Sequence, residues 1–171
     1  MRVGDFGKET VAVYHNNKIK DLSDHIKDLN PQTLNDETLK KLNNIDLSSL
    51  REINPSKRIG SCVSKPGDFL AIGLNYRAHA EESGMDLPKV PMVFTKQQTC
   101  ANGPFDDIYA PPESEQIDYE GELGVVIGKK CRRVRKEDAE NYIAGYTIVN
   151  DVSMRDWQMN GAPASFTMGK S

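Results

Sequence analysis

The sequence has no long apolar run. No stretch approaches the roughly 18 apolar residues that a membrane-spanning helix requires, and the first residues, MRVGDFGKET, lack the apolar segment of a secretory signal. Apolar residues make up 37% of the chain and charged residues 27%, which is polar for a globular domain but does not indicate disorder. We therefore expect a soluble, cytoplasmic protein with no membrane partner.

Cysteines are few, and several catalytic motifs are missing. The three cysteines, Cys62, Cys100 and Cys131, form no C-x-x-C pair, so a zinc site is not indicated. An odd number of cysteines favours reduced thiols in an intracellular compartment. The chain also contains no GxGxxG, no Walker loop, no HExxH and no GxSxG motif. These absences leave the chemistry to be sought in less common residue patterns.

A strong net charge is absent as well. The 22 basic and 25 acidic residues give a formal net charge of −3, which attracts neither nucleic acid nor an anionic membrane. One basic cluster occupies residues 129–136, between a predicted strand and a predicted helix. A solvated turn explains this cluster better than a nucleic-acid surface does, and we expect no nucleic-acid partner.

The chain divides into two predicted domains. Residues 1–60 are polar and form a small N-terminal domain, and residues 61–171 form the main domain. In the first domain we predict a strand over 10–15, a turn at 16–17, a return strand over 18–22, a helix capped by Ser23 over 23–29 and a helix over 35–42. In the second domain we predict strands over 68–75, 91–96, 107–110, 117–128 and 145–152, and helices over 76–82, 136–144 and, capped by Ser153, 153–158.

The strand over Ile117–Gly128 carries an unusual charge pattern. With a period of two, Asp118, Glu120 and Glu122 lie on one face and repel each other. The Cα atoms of Glu120 and Glu122 would lie roughly 6.6 Å apart, so both carboxylates could reach a single divalent cation. A solvated acidic face on an antiparallel strand explains the same pattern equally well.

Two further groups of polar residues are candidates for the site. One group lies on a predicted helix, and the other comes after the end of a predicted strand. His79 and Glu82 lie three apart on a predicted helix, where the carboxylate could orient the imidazole as a general base. An ordinary surface pair is the alternative, and taken alone it is favoured. Asp151 follows a strand, and after it come Arg155, Gln158 and Lys170, which could bind a carboxylate or an oxyanion. Turn and surface roles explain each of these residues too.

Taken together, these segments resemble the fumarylacetoacetate hydrolase family. The matching stretches are IGLNYRAHAEE (72–82), PMVFTK (91–96), GPFDDI (103–108), DYEGELGVVIGK (118–129), AGYTIVNDVSMRDWQ (144–158) and MGKS (168–171). The first 60 residues resemble the small N-terminal domain of a subgroup that includes ureidoglycolate lyase-like and acylpyruvate hydrolase-like proteins. The resemblance implies an α+β fold, a β-rich mixed-sheet roll preceded by a small α/β domain.

The resemblance also implies a role for each matching residue. Mg²⁺ or Mn²⁺ would be bound by Glu120, Glu122 and Asp151. His79 and Glu82 would activate water on a lid that orders when ligand binds, and Lys170 would stabilise an oxyanion. The substrate's keto-acid end would be contacted by Arg155, Gln158 and Lys96.

The implied activity is metal-dependent hydrolysis of a C–C bond in a small 2-oxo or 1,3-dicarbonyl acid, by a homodimer. The same site could instead support a decarboxylase, an isomerase or a ureidoglycolate-type lyase. The family's catalytic domain continues for roughly another hundred residues, so we expect the 171-residue sequence to be a fragment that ends within the domain. The alternative from another class is a truncated, non-catalytic domain that binds a partner.

Overall fold

The computed structural model describes residues 1–160 and 165–170. This part of the chain contains ten strands: β1 Arg2–Val3, β2 Thr10–His15, β3 Lys18–Asp21, β4 Glu52–Ile53, β5 Phe69–Gly73, β6 Met92–Lys96, β7 Ile117–Asp118, β8 Gly121–Ile127, β9 Ile143–Asn150 and β10 Ser153–Met154. It also contains three α-helices: α1 Asp36–Asn43, α2 Arg77–Glu82 and α3 Phe166–Gly169. The expected α+β class is confirmed.

The contacts divide the chain into two compact units. The first unit consists of Met1–Pro66, Ala101–Tyr109 and Gly121–Asn150. The second unit consists of Gly67–Cys100, Ala110–Glu120 and Asp151–Ser171. The predicted domain boundary after residue 60 stays a prediction.

A four-stranded antiparallel sheet in the order β1-β2-β3-β4 organises the N-terminal part of the first unit. Its central hairpin turns at Asn16 and Asn17, with φ angles of 49° and 61° that asparagine tolerates better than most residues. The predicted hairpin is therefore confirmed. Two apolar clusters pack on this sheet: Val3, Ala12 and Ile19, and Val11, Leu22 and Ile26.

Helix α1 also follows the prediction. Asn35 caps it, since its side-chain oxygen accepts a hydrogen bond from the backbone N–H of Thr38 at 3.0 Å. Leu42 on this helix packs against the second apolar cluster. The helix predicted over 23–29 is wrong, because the Asp21 carboxylate accepts a hydrogen bond from the backbone N–H of Ser23 at 2.8 Å and the chain forms only a turn there.

The first unit also contains the β8–β9 pair. Its antiparallel register sets Leu123 opposite Ile148 and Val125 opposite Tyr146. These apolar side chains form the more exposed face of the pair, with Leu123 64% and Ile148 89% exposed. The α-helix predicted over 136–144 is instead a 3₁₀ helix over Lys136–Tyr142.

The second unit is built from short pairs of elements. Strand β5 pairs with β6 in antiparallel register, and both lie within segments that the sequence predicts as strands. Between them lies α2, whose Ala80 is fully buried, and the chain leaves this helix through Gly84 at a φ of 63°. Strand β7 pairs with β10, so that Asp118 lies opposite Ser153.

Three further sequence predictions in the region after residue 100 are wrong. No strand forms over 107–110 in the described chain. The continuous strand over 117–128 breaks at Tyr119–Glu120, because β7 and β8 pair with different strands. Ser153 does not cap a helix. It lies in β10, and the following turn, Asp156–Asn160, is π-helical.

The buried residues of the second unit are mostly polar. Among the described residues of this unit, Ala80 is the only buried apolar one. The others are Gly169 and the polar residues Lys96, Ser114, Asp151, Ser153, Gln158 and Lys170. Lysine and aspartate are rarely buried unless they are paired, so this composition marks the region as a candidate site. Nowhere among the described residues is there a helix of the length and apolar character needed to cross a membrane.

Candidate functional site

The β7–β10 ladder brings Glu120 and Asp151 together. Beyond the last paired residues, the backbone N–H of Asp151 donates to the carbonyl of Glu120 at 2.8 Å. At the other end, the backbone N–H of Arg155 donates to the carbonyl of Gln116 at 2.8 Å. Two carboxylates that lie 31 positions apart in the sequence therefore meet because the strand register aligns them.

Lys170 lies between these two carboxylates. Its Nζ is 2.7 Å from Glu120 Oε2 and 3.1 Å from Asp151 Oδ2. The same ammonium donates to the hydroxyl of Ser153 at 2.8 Å and lies 5.5 Å from the centre of the Phe94 ring. Lys170 is only 3% exposed, so a charge that is normally hydrated is neutralised here by two buried or half-buried acids.

A second buried lysine supports the first. Lys96, the last residue of β6, places its Nζ 2.5 Å from Asp151 Oδ1 and also donates to the main-chain carbonyl of Lys170. Asp151 thus accepts from Lys170 through one carboxylate oxygen and from Lys96 through the other. The ammonium of Lys96 therefore holds both the side chain of Asp151 and the main chain at Lys170.

Local structure fixes the start of the segment that carries Lys170. Ser165 caps α3 by accepting a hydrogen bond from the backbone N–H of Met168 at 3.2 Å. At the end of this helix, Gly169 lies against Gln158, where an added Cβ would be 2.7 Å from the backbone nitrogen of Gln158. Only glycine permits this close approach, and Lys170 follows immediately.

Arg155 binds the acidic residues from another direction. Its Nη1 lies 2.6 Å from Glu120 Oε1, and its Nη2 lies 2.9 Å from Asp118 Oδ2. The guanidinium also donates to Gln158 Oε1 at 2.9 Å. The hydrogen bond from Arg155 holds the pKa of Asp118 below its usual value. Burial lowers the pKa of Arg155, but Asp118 and Glu120 outweigh it and leave the pKa raised.

The cluster is balanced in charge. Lys96, Lys170 and Arg155 supply three cations, and three carboxylates accept from them: Asp118, Glu120 and Asp151. A divalent cation that bound here would add two positive charges, so an anion would have to bind beside it to keep the cluster balanced.

Sequence reasoning overlooked two members of this cluster. Ser153 is fully buried, accepts from Lys170 and donates to the carbonyl of Asp151 at 3.0 Å. It lies two residues after Asp151, and residues two apart in an extended chain lie on the same face. This spacing could have indicated that Ser153 belongs to the site. Phe94 was also overlooked, and nothing in its local sequence distinguishes it from a core phenylalanine.

Three further predicted residues lie on α2 and β8. His79 and Glu82 lie one turn apart on α2, both exposed, and no hydrogen bond or ion pair joins them in the described chain. Glu122 lies on β8 in the first unit, opposite Val149, and is half-buried. Their assigned roles as general base, its partner and metal ligand stay predictions.

The donor set agrees with a hard divalent cation. Glu120 and Asp151 present only carboxylate oxygens, which Mg²⁺ and Mn²⁺ prefer, and they already converge on one cation, the ammonium of Lys170. Within residues 1–160 and 165–170, no three histidine, cysteine, aspartate or glutamate side chains are arranged to hold a metal ion. The two carboxylates fit a metal by their chemistry and by sharing one bound cation, but among the described residues no third such side chain completes the group.

Comparison with known proteins gives consistent similarities. A family model described as fumarylacetoacetate (FAA) hydrolase C-terminal matches residues 68–171. A Burkholderia ambifaria protein named "Putative hydrolase" is 45% identical over 160 residues, which are 93% of this chain and 57% of that protein. The chain thus spans less than two thirds of the length of this relative.

Solved structures with the same fold agree. The fumarylacetoacetate hydrolase of Exiguobacterium antarcticum is 28% identical with a TM-score of 0.76, and the match covers 99% of this chain and 60% of that one. The 5-carboxymethyl-2-hydroxymuconate delta-isomerase of Mycobacterium smegmatis is 26% identical with a TM-score of 0.68, and the match covers 100% and 61%. The fold expected from the sequence is confirmed, and the chain belongs to the fumarylacetoacetate hydrolase family.

Proposed function

We propose that this chain carries the site of a divalent-metal-dependent hydrolase that cleaves a C–C bond in a small 2-oxo or 1,3-dicarbonyl acid. Family membership supports an enzyme in general terms. The observation that carries the specific proposal is the ammonium of Lys170, buried between the carboxylates of Glu120 and Asp151. The cluster offers both carboxylates for a metal and cations for an anionic substrate.

The proposed metal is Mg²⁺ or Mn²⁺, with Glu120, Glu122 and Asp151 as its ligands. When bound, the metal would supply Lewis-acid polarisation of the substrate's keto group. The backbone hydrogen bond from Asp151 to Glu120 already sets two of these residues side by side, so little ordering of the backbone is required when they bind.

The substrate's acid end would be bound by the cations of the cluster. Arg155 offers a planar guanidinium that suits a carboxylate, and Gln158 lies beside it at 2.9 Å. Once a metal neutralises Glu120 and Asp151, the ammonium groups of Lys96 and Lys170 would provide positive charge in a region shielded from water, where it attracts an anion more strongly than in bulk solvent.

Water activation would fall to His79, with Glu82 as the group that orients its ring. The exposure of the segment that carries His79 supports this part of the proposal. Apart from Ala80, every residue from Asn75 to Pro91 is exposed, which suits a lid that closes over a bound ligand. Closure would exclude water other than the reacting molecule.

An activity assay tests the proposal. Purified protein is incubated with acylpyruvates and with oxaloacetate, with Mg²⁺ or Mn²⁺ and with EDTA. We expect acylpyruvate cleavage that EDTA abolishes and added metal restores. Turnover that persists without metal would refute the mechanism. Oxaloacetate decarboxylation or enol–keto isomerisation in place of cleavage would favour the decarboxylase or isomerase alternative, and the isomerase has support from the named activity of the M. smegmatis structure.

Absence of turnover with any of these substrates would favour the non-catalytic alternative. Because the matched relative is longer than this chain, an intact-mass measurement of the natural protein belongs with the assay. The homodimer and the cytoplasmic location stay predictions.

A further inference from the structure

Lys170 lies in a position that a bound metal would need. Its Nζ contacts one oxygen of Glu120 at 2.7 Å and one oxygen of Asp151 at 3.1 Å. These two carboxylates belong to the proposed metal ligand set. A cation that bridges both acids competes directly with the ammonium for the same oxygens.

A metal and the ammonium would repel each other if both contacted these oxygens. Carboxylate–metal distances for Mg²⁺ are about 2.1 Å, so an ion on these acids would lie within a few ångströms of Nζ. Like charges at that separation repel strongly where water is scarce, and Lys170 is 3% exposed. A metal bound to these acids would therefore push the ammonium away from them.

We propose that Lys170 is an internal counter-ion that a divalent cation displaces, and that the displaced ammonium becomes available to the substrate's anionic group. This inference rests on the proposed function. It gives the order of binding, with metal first and the 2-oxo acid second.

The surroundings of Lys170 allow the side chain to move while its backbone stays. Lys96 holds the main-chain carbonyl of Lys170, and Gly169 packs on the backbone of Gln158. The polar contacts of the side chain that involve described residues are all at its tip: the two carboxylates, the hydroxyl of Ser153 and the face of the Phe94 ring. Loss of the carboxylate contacts would free the ammonium without disturbing the segment that carries it.

Arg155 and Lys96 differ from Lys170 in this respect. Arg155 retains Asp118 and Gln158 as partners if Glu120 turns to a metal. Lys96 retains the carbonyl of Lys170 if Asp151 does so. Lys170 is the cation whose two charged partners among the described contacts are both proposed metal ligands.

Displacement predicts a coupling between metal and anion. An ammonium engaged by two acids attracts an anion weakly, and a released one attracts it strongly. By linkage, the metal must then raise the affinity for a 2-oxo acid by the same factor by which the acid raises the affinity for metal.

The first test measures Mn²⁺ binding by titration calorimetry for the 171-residue chain and its Lys170→Met variant. Methionine keeps the length of the side chain and removes the competing charge. We expect the variant to bind Mn²⁺ roughly 5- to 100-fold more tightly, the usual range for coupled sites. The matched control is Lys129→Met, which removes an ammonium bonded at 2.6 Å to Asp36 in the first unit and should leave the affinity unchanged.

The second test uses the unmodified protein and follows reductive methylation of lysines by peptide mass spectrometry. Lys170 is buried and engaged, so we expect slow labelling without metal and at least about fivefold faster labelling with Mn²⁺. Exposed Lys57, in the first unit, serves as the internal reference and should react at the same rate in both conditions. This test does not depend on the folding of a variant.

The outcomes separate the inference from the proposed function. Tighter binding by Lys170→Met together with faster labelling of Lys170 supports displacement. If the wild type binds Mn²⁺ but the variant binds no more tightly, or if labelling of Lys170 does not change, the displacement is refuted and the metal site stands. If neither protein binds Mn²⁺, the metal-dependent function is refuted along with it.

Discussion

The ammonium of Lys96 and the carboxylate of Asp151 are both buried and lie 2.5 Å apart. Lys96→Met would leave Asp151 with one cation fewer and the carbonyl of Lys170 without this donor. We expect the free energy of unfolding to fall by about 3 kcal/mol, because removal of one partner leaves a buried charge less compensated. Urea unfolding measures this loss. Lys89→Met, at an exposed position, should change stability by less than about 0.5 kcal/mol, and an equal loss there would contradict the prediction.

The contact between Gly169 and Gln158 leads to a second prediction. Gly169→Ala would place a Cβ 2.7 Å from the backbone nitrogen of Gln158, so the two segments must separate. Overpacking of this kind costs about 1–3 kcal/mol, and here it would also shift Lys170. The thermal unfolding midpoint and Mn²⁺ affinity should both fall. Gly145→Ala is the control, since a Cβ there meets nothing within 4 Å. A stable Gly169→Ala protein with normal Mn²⁺ affinity would contradict this account.

Metal binding by Glu122 can be tested directly. Glu122→Gln keeps the size of the side chain and removes the charge that attracts a divalent cation. We expect Mg²⁺ affinity to fall by roughly tenfold or more, as loss of a charged oxygen ligand should. Glu137→Gln, an exposed substitution outside the proposed site, should leave the affinity unchanged. An unchanged Mg²⁺ titration for Glu122→Gln would remove this residue from the ligand set.

Much of the local structure was predictable because its causes are local. The Asn16–Asn17 pair predicts the first hairpin, since asparagine accepts the positive φ angles of the turn. Asn35 predicts the start of α1 because its side chain can bond a free backbone N–H. Gly84 predicts the end of α2, because glycine adopts the positive φ angle that ends a helix without strain.

The break at Tyr119–Glu120 has a distant cause. The alternating pattern of 117–128 fits one strand, but its two halves pair with β10 and β9 respectively. The sequence of the segment does not indicate which strand each half will pair with. The interpretation of Ser153 as a cap failed in the same way, because the pairing of β10 with β7 overrode a local capping pattern.

The candidate site shows the same limit. The residue types could be selected from the sequence, but the contact between Lys170 and Glu120 joins positions 50 apart. Its geometry depends on the β7–β10 register and on the close packing of Gly169. Neither can be obtained from the spacing of charged residues alone.

Acid should weaken an ion-pair group in the first unit. The guanidinium of Arg58 holds the pKa of Asp106 below its usual value. Burial raises the pKa of Glu9, but hydrogen bonds from Arg58 and charge from Arg2 outweigh it and leave that pKa lowered. A depressed carboxyl pKa stabilises the fold fully above the unfolded pKa, about 4 for these groups. The contribution is lost as the pH falls through the folded value.

Wild-type stability should therefore fall steeply below a pH of about 4. Arg58→Met should be less stable near neutral pH and should lose less on acidification, because the pKa values of Asp106 and Glu9 return toward their usual range. Urea unfolding between neutral and acid pH measures both slopes. Arg132→Met, at an exposed position, should follow the wild-type curve. Parallel curves for wild type and Arg58→Met would exclude this source of acid sensitivity.

The assignment of His79 as general base makes a prediction that separates catalysis from binding. His79 is exposed on α2, so His79→Ala should fold normally and bind Mn²⁺ with wild-type affinity. Loss of a general base lowers kcat by roughly 10²- to 10⁴-fold. Glu82→Gln should lower kcat less, because it removes only the group that orients the ring. Glu81→Gln is the matched control on the same helix, with unchanged kcat expected. If His79→Ala keeps its kcat, water activation belongs to another group, and the lid role of α2 loses its main support.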